Sequence, residues 1–125
     1  MGPDNRGEMI RMASEVDLPD NWRDGLIGWA RVTPAVSELW LFGSRAKGTA
    51  RPESDVDIAI ALMPPKQSHD FALRDYLAHA NEWRLKLEQI VQRHVSFTAI
   101  VPDTPADEEV RSTGILLWKR TSIHS

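Results

Sequence analysis

Cysteine is absent from this 125-residue chain. No disulfide framework and no thiolate metal site can therefore form, and a cytoplasmic protein is the expectation. Long apolar runs are missing too. None approaches the roughly 20 residues that cross a bilayer, and residues 1–20 carry acids where a signal peptide would carry a continuous apolar stretch. A membrane is not expected among the partners. Nor is positive charge in excess: 15 Lys and Arg face 18 Asp and Glu, a net charge of −3, and the pI is about 5.8. The surface as a whole is thus no electrostatic footprint for nucleic acid, which is not expected as the main substrate. Tyrosine is nearly absent, and most aromatic bulk rests on five tryptophans. These and Tyr76 lie mostly on apolar faces and are expected in the core.

What is present suffices for one core. At 42% hydrophobic content a chain of this length needs no staples. Residues 19–120 read as a single domain between a loose arm, residues 1–18, and a short tail, residues 121–125. Asp20 is placed to cap a helix that carries Trp22, Leu26, Trp29 and Ala30 at helical spacing and ends at Thr33-Pro34. Gly25 and Gly28 weaken that helix. Residues 37–42, dense in large apolar groups and running into Gly43, predict a buried strand, and DVDIAIAL over residues 55–62 predicts a second. Residues 63–69 hold Pro64-Pro65 and cannot be regular. Asp70 then caps a long helix running to about Arg93, with Leu73, Leu77, Ala80, Trp83, Leu87 and Ile90 as its buried stripe. Residues 94–101 predict a third strand from their β-branched and aromatic content. Thr104-Pro105-Ala106-Asp107 opens another helix, with Thr at the N-cap, and Gly114 stops it. Residues 115–118 form a last strand closed by Lys119 and Arg120. This order of elements, without internal repeat, gives a small α/β or α+β layer.

The chemistry concentrates where the first strand ends in a Gly43-Ser44 turn, a short helix and a loop follow, and the second strand starts with Asp55-Val56-Asp57. Residues two apart on a strand face the same side, so Asp55 and Asp57 point into one pocket. Two carboxylates on one face repel unless a cation sits between them. Oxygen ligands of this kind suit Mg²⁺, held by one or two carboxylates plus substrate phosphates. The Gly-Ser turn supplies the other half: glycine lets backbone approach a phosphate, the following amides form an anion-binding concavity, and the Ser44 hydroxyl can donate to a phosphate oxygen. Arg45, Lys47 and Arg51 are near enough in sequence to add positive charge around a triphosphate. The plainer reading is a turn, two solvated acids and surface cations. At ordinary residue frequencies, however, Gly, Ser, Asp and Asp at these offsets occur by chance in roughly one chain of this length in a thousand.

GSRAKG, with ten residues between Gly43-Ser44 and Asp55-Val56-Asp57, resembles the nucleotidyltransferase superfamily associated with DNA polymerase β. The brevity of the chain resembles its minimal nucleotidyltransferase (MNT) group, many of them antitoxins paired with HEPN-domain ribonuclease toxins. The resemblance is sharpest over residues 40–62. It implies a mixed sheet flanked by helices, ATP and Mg²⁺ at the site, and transfer of a nucleoside monophosphate with release of pyrophosphate. In the antitoxin branch the acceptor is usually a hydroxyl of the toxin. Small-molecule members carry an added helical region for the acceptor. After Arg120 only five residues follow here, so a protein acceptor in a homo- or hetero-oligomer is expected.

One residue departs from the pattern. The family places a third acid on a later strand, where it helps hold metal and takes up the acceptor proton, and the matching strand here reads His94-Val95-Ser96-Phe97-Thr98, with Ser96 at that position. Losing a ligand weakens mainly the ion that activates the attacking oxygen. Three accounts fill the gap: His94, on the strand face of Ser96, serves as base near neutral pH; Asp103 or Asp107 folds back; or the chain is a degenerate antitoxin that acts by binding its partner. A small template-directed polymerase lacks any evident basic surface.

Overall fold

The computed structural model describes residues 18–48, 51, 54–65 and 70–121. Most of the expected arm and tail lies outside them. Eight elements follow in order: α1 (Asp20–Arg31), β1 (Val36–Phe42), α2 (Gly43–Lys47), β2 (Val56–Leu62), α3 (Phe71–Val91), β3 (Val95–Ile100), α4 (Pro105–Thr113) and β4 (Ile115–Lys119). The strands form one sheet in the order β3-β2-β1-β4. β1 runs antiparallel to both β2 and β4, while β2 and β3 are parallel, joined by α3. The expected mixed sheet flanked by helices is the architecture found.

Alternation along the strands assigns the two faces. Leu39 and Leu41 of β1, Val56, Ile58 and Ile60 of β2 and Val95 of β3 form one core with Leu26 and Trp29 of α1 and Leu87 and Val91 of α3. The intervening residues Trp40, Ala59, Ala61 and Ile100 meet Val110 of α4 on the other face. Near β3 that second face opens to solvent, where Ser96 and Thr98 are exposed. All five tryptophans and Tyr76 are buried or packed against these clusters.

Several local details differ from the sequence expectations. The residue flanking α1 is Pro19, without a side-chain cap, and Asp20 is the first helical residue, paired at 3.6 Å with Arg23. Leu18, assigned to the arm, is buried in the main core. The cap of α3 is Asp70, whose side chain accepts from the Leu73 amide. Its buried stripe, however, is Ala72, Leu87 and Val91, and Leu73 and Leu77 are 42% and 70% exposed. Leucines line more than one face of this helix, so periodicity fixes its existence but not its rotation. Thr104 caps α4 by accepting from the Asp107 amide, with Pro105 in the first turn, as its sequence predicts.

Candidate active site

Asp57 is the second residue of β2, level with Phe42 of β1 on one side and Ser96 of β3 on the other. The next residue after Phe42 is Gly43, with φ of +75°, and a Cβ built there would run into the Asp57 carboxylate. The glycine thus serves two ends. It takes the left-handed turn from β1 into α2, and it leaves room for Asp57 beside the backbone of Gly43. The sequence suggested that glycine admits a phosphate; the contact the fold displays is with the carboxylate.

Asp55 stands just before β2 and not within it, its side chain 55% exposed. Even so the two acids sense each other. Burial, first, and the neighbouring Asp55 charge push the Asp57 carboxyl above the usual carboxylate range, against the opposing pull of Arg45 and His94. His94 lies in the turn before β3, its Nδ1 3.2 Å from Asp55 Oδ2, and its carbonyl accepts from the Val56 amide at 3.0 Å. Glu88 of α3, which the sequence reading passed over, sits behind it. Its Oε2 accepts from the Val95 amide at 3.0 Å and from Arg84 at 2.8 Å, and lies 3.9 Å from His94 Nε2. Nothing in the local sequence marks this contact, which exists only because α3 returns to the start of β3.

Two paired hard oxygen donors that repel each other fit a divalent cation such as Mg²⁺, completed by phosphate oxygens. Among the described residues no group of three or more His, Asp or Glu is disposed to hold a metal ion. Ser96, exposed and uncharged, is level with Asp57 on the adjacent strand. Asp103 and Asp107 do not reach this point. They follow β3, whose last residue is level with Ala61, four strand positions or roughly 13 Å from Asp57. Asp107 is moreover buried and bound to Arg111 at 2.8 Å. Among the cations, Lys47 is exposed at the end of α2 and Arg51 is exposed in the loop. Arg45, expected around a phosphate, is 3% exposed and donates to the Ser54 and Asp55 carbonyls.

Residues 30–115 match the family model described as Nucleotidyltransferase domain. No sequence among the curated proteins matches the chain. Its fold is similar to that of a chain in a crystal structure of a toxin-antitoxin with AMP-PNP, at 23% identity over 78% of this chain and 73% of that one, with a TM-score of 0.59. A tri-AMPylated Shewanella oneidensis HEPN toxin in complex with MNT antitoxin also contains a similar chain, at 20% identity over 79% of this chain and 71% of that one, with a TM-score of 0.53. With β1, β2 and β3, the Gly43-Ser44 turn and the Asp55-Val56-Asp57 entry to β2 inside the matched residues, the protein belongs to the nucleotidyltransferase domain family.

Proposed function

We propose that this protein is a Mg²⁺-dependent nucleotidyltransferase that transfers AMP from ATP to a hydroxyl of a partner protein, a HEPN-family toxin, in the cytoplasm. The observation that carries the reading is the fit of Gly43 against Asp57 with Asp55 close enough to perturb it. Asp55 and Asp57 would hold the cation, which supplies charge stabilisation to the triphosphate when bound. The Ser44 hydroxyl and the exposed Lys47 would bind phosphate oxygens. The acceptor oxygen forms a bond to the α-phosphorus as the bond to the β-phosphate oxygen breaks; pyrophosphate leaves with that electron pair. His94, whose Nδ1 lies 3.2 Å from Asp55, would take the acceptor proton. The toxin partner is suggested by the similarly folded chains, whose structures are described as toxin-antitoxin complexes.

Ser96 favours a second reading, a degenerate antitoxin that binds its partner without chemistry. The two readings part in one experiment: incubation of labelled ATP, Mg²⁺ and the product of the adjacent gene, as the candidate toxin, with wild type, Ser96→Asp, and the Asp55→Asn/Asp57→Asn pair. Label on the toxin with wild type, lost in the Asn pair, is the expected outcome. Ser96→Asp should raise transfer, because a carboxylate level with Asp57 adds the ligand that the activating ion lacks. Label with Ser96→Asp alone establishes the degenerate reading. A stable complex that no variant labels sinks the enzyme.

A further inference from the structure

Arg45 is among the few buried charged residues of the described chain. A guanidinium at 3% exposure loses several kcal/mol of hydration unless its donors are met. Here Nη2 donates to the Ser54 carbonyl at 2.8 Å and Nε to the Asp55 carbonyl at 3.3 Å. The Trp22 ring of α1 lies against the guanidinium, its centroid 5.4 Å from Cζ, an arrangement that favours a planar cation. Both acceptors belong to the segment that leads into β2 immediately ahead of Asp57. Elsewhere on that segment, Ser54 binds back to Arg51 through its amide and its hydroxyl, His94 meets the Asp55 carboxylate at 3.2 Å, and the His94 carbonyl accepts from the Val56 amide. The fork of Arg45 therefore ties the entrance of β2 to α2 and, through Trp22, to α1.

We propose that Arg45 is a positioning residue: by clamping the Ser54 and Asp55 carbonyls, it fixes where the Asp55 carboxylate stands relative to Asp57 and so sets the affinity of the pair for a divalent cation. This rests on the reading of Asp55 and Asp57 as metal ligands. Triphosphate contact then falls to Ser44 and the exposed Lys47. Arg45 also holds a positive charge close enough to act on Asp57, which eases the repulsion between the two acids before any cation arrives. Lysine cannot replace it, because one ammonium lacks the fork that meets two carbonyls at once.

The test compares wild type, Arg45→Lys, Arg45→Met and the Asp55→Asn/Asp57→Asn pair in three measurements. They are hydrogen exchange in the peptide covering residues 54–57, Mn²⁺ affinity without nucleotide, and ATP affinity at saturating Mg²⁺. Arg45→Lys is expected to speed exchange in residues 54–57 and not elsewhere. Mn²⁺ affinity should fall roughly 10- to 100-fold, the effect of removing a group that orients a metal ligand, with ATP affinity at saturating Mg²⁺ little changed. A loss of ATP affinity with Mn²⁺ affinity intact makes Arg45 a phosphate ligand and overturns the proposal, as does unchanged exchange. Should neither Arg45 variant fold, Trp22→Leu leaves Arg45 in place and removes the ring that stacks on it and on Arg93. Weakened Mn²⁺ binding in that folded protein then supports the proposal, and unchanged binding overturns it. A wild-type protein without Mn²⁺ affinity would overturn the metal reading and with it the claim on cation affinity, whereas the exchange result would still decide whether Arg45 clamps the strand entrance.

Discussion

Asp57 carries its charge where the fold disfavours it, because it is partly buried and Asp55 stands nearby. A carboxyl whose pKa is raised on folding binds its proton more tightly in the native state. Its contribution is therefore fully present at pH below the ordinary aspartate value and is lost as pH rises through the raised one. At neutral pH, without divalent cation, Asp57 thus costs stability. Asp57→Asn should melt a few degrees above wild type in EDTA at pH 7, with the gap closing as the pH falls below about 4. Mg²⁺ should stabilise wild type and leave the variant unmoved. A melting temperature that is lower than wild type at pH 7 would contradict the strain assigned to this pair. The pattern Gly-Ser with Asp-x-Asp was legible in the sequence, but the reason for the glycine was not, since the carboxylate that crowds it comes from a strand 14 positions away in the chain.

At the scale of elements, α1 and α3 show why a feature that weakens a helix on paper is kept. A Cβ on Gly25 would stand 2.6 Å from Ile90 Cγ2, so the glycine is the contact point at which the two helices cross. Ile90 is β-branched and has little freedom to turn aside. Gly25→Ala gains about 1 kcal/mol of helix propensity but forces a shift costing about 1 to 3 kcal/mol. Net destabilisation is expected, measured as a lower urea midpoint, and pairing with Ile90→Ala should restore the propensity gain. A Gly25→Ala protein more stable than wild type would show that the crossing has slack. The caps Asp70 and Thr104 were readable because a cap is decided within four residues. The rotation of α3, which exposes Leu73 and Leu77, depends on the sheet it lies against.

Across the whole molecule, the sheet order brings together residues from the ends of β1 and the starts of β2 and β3, so the site exists only when all three strands pair. A ligand bound there stabilises the fold as a unit, by about 2.7 kcal/mol at a hundred times its Kd, or several degrees for a domain of this size. MgATP should therefore raise the melting temperature of wild type and fail to raise that of the Asp55→Asn/Asp57→Asn pair. An equal rise in both would place nucleotide elsewhere. The sequence by itself determined the elements, the caps Asp70 and Thr104 and the spacing of the Gly43-Ser44 turn from Asp55 and Asp57, because each of these is set by neighbours along the chain or by the period of the backbone. Only the tertiary structure decided that Ser96 stands level with Asp57, that Asp103 and Asp107 are too far to replace an acid there, and that Arg45 faces inward. Those facts depend on strand register and on the packing of Trp22 over Arg45, which bring together residues that are distant in the chain.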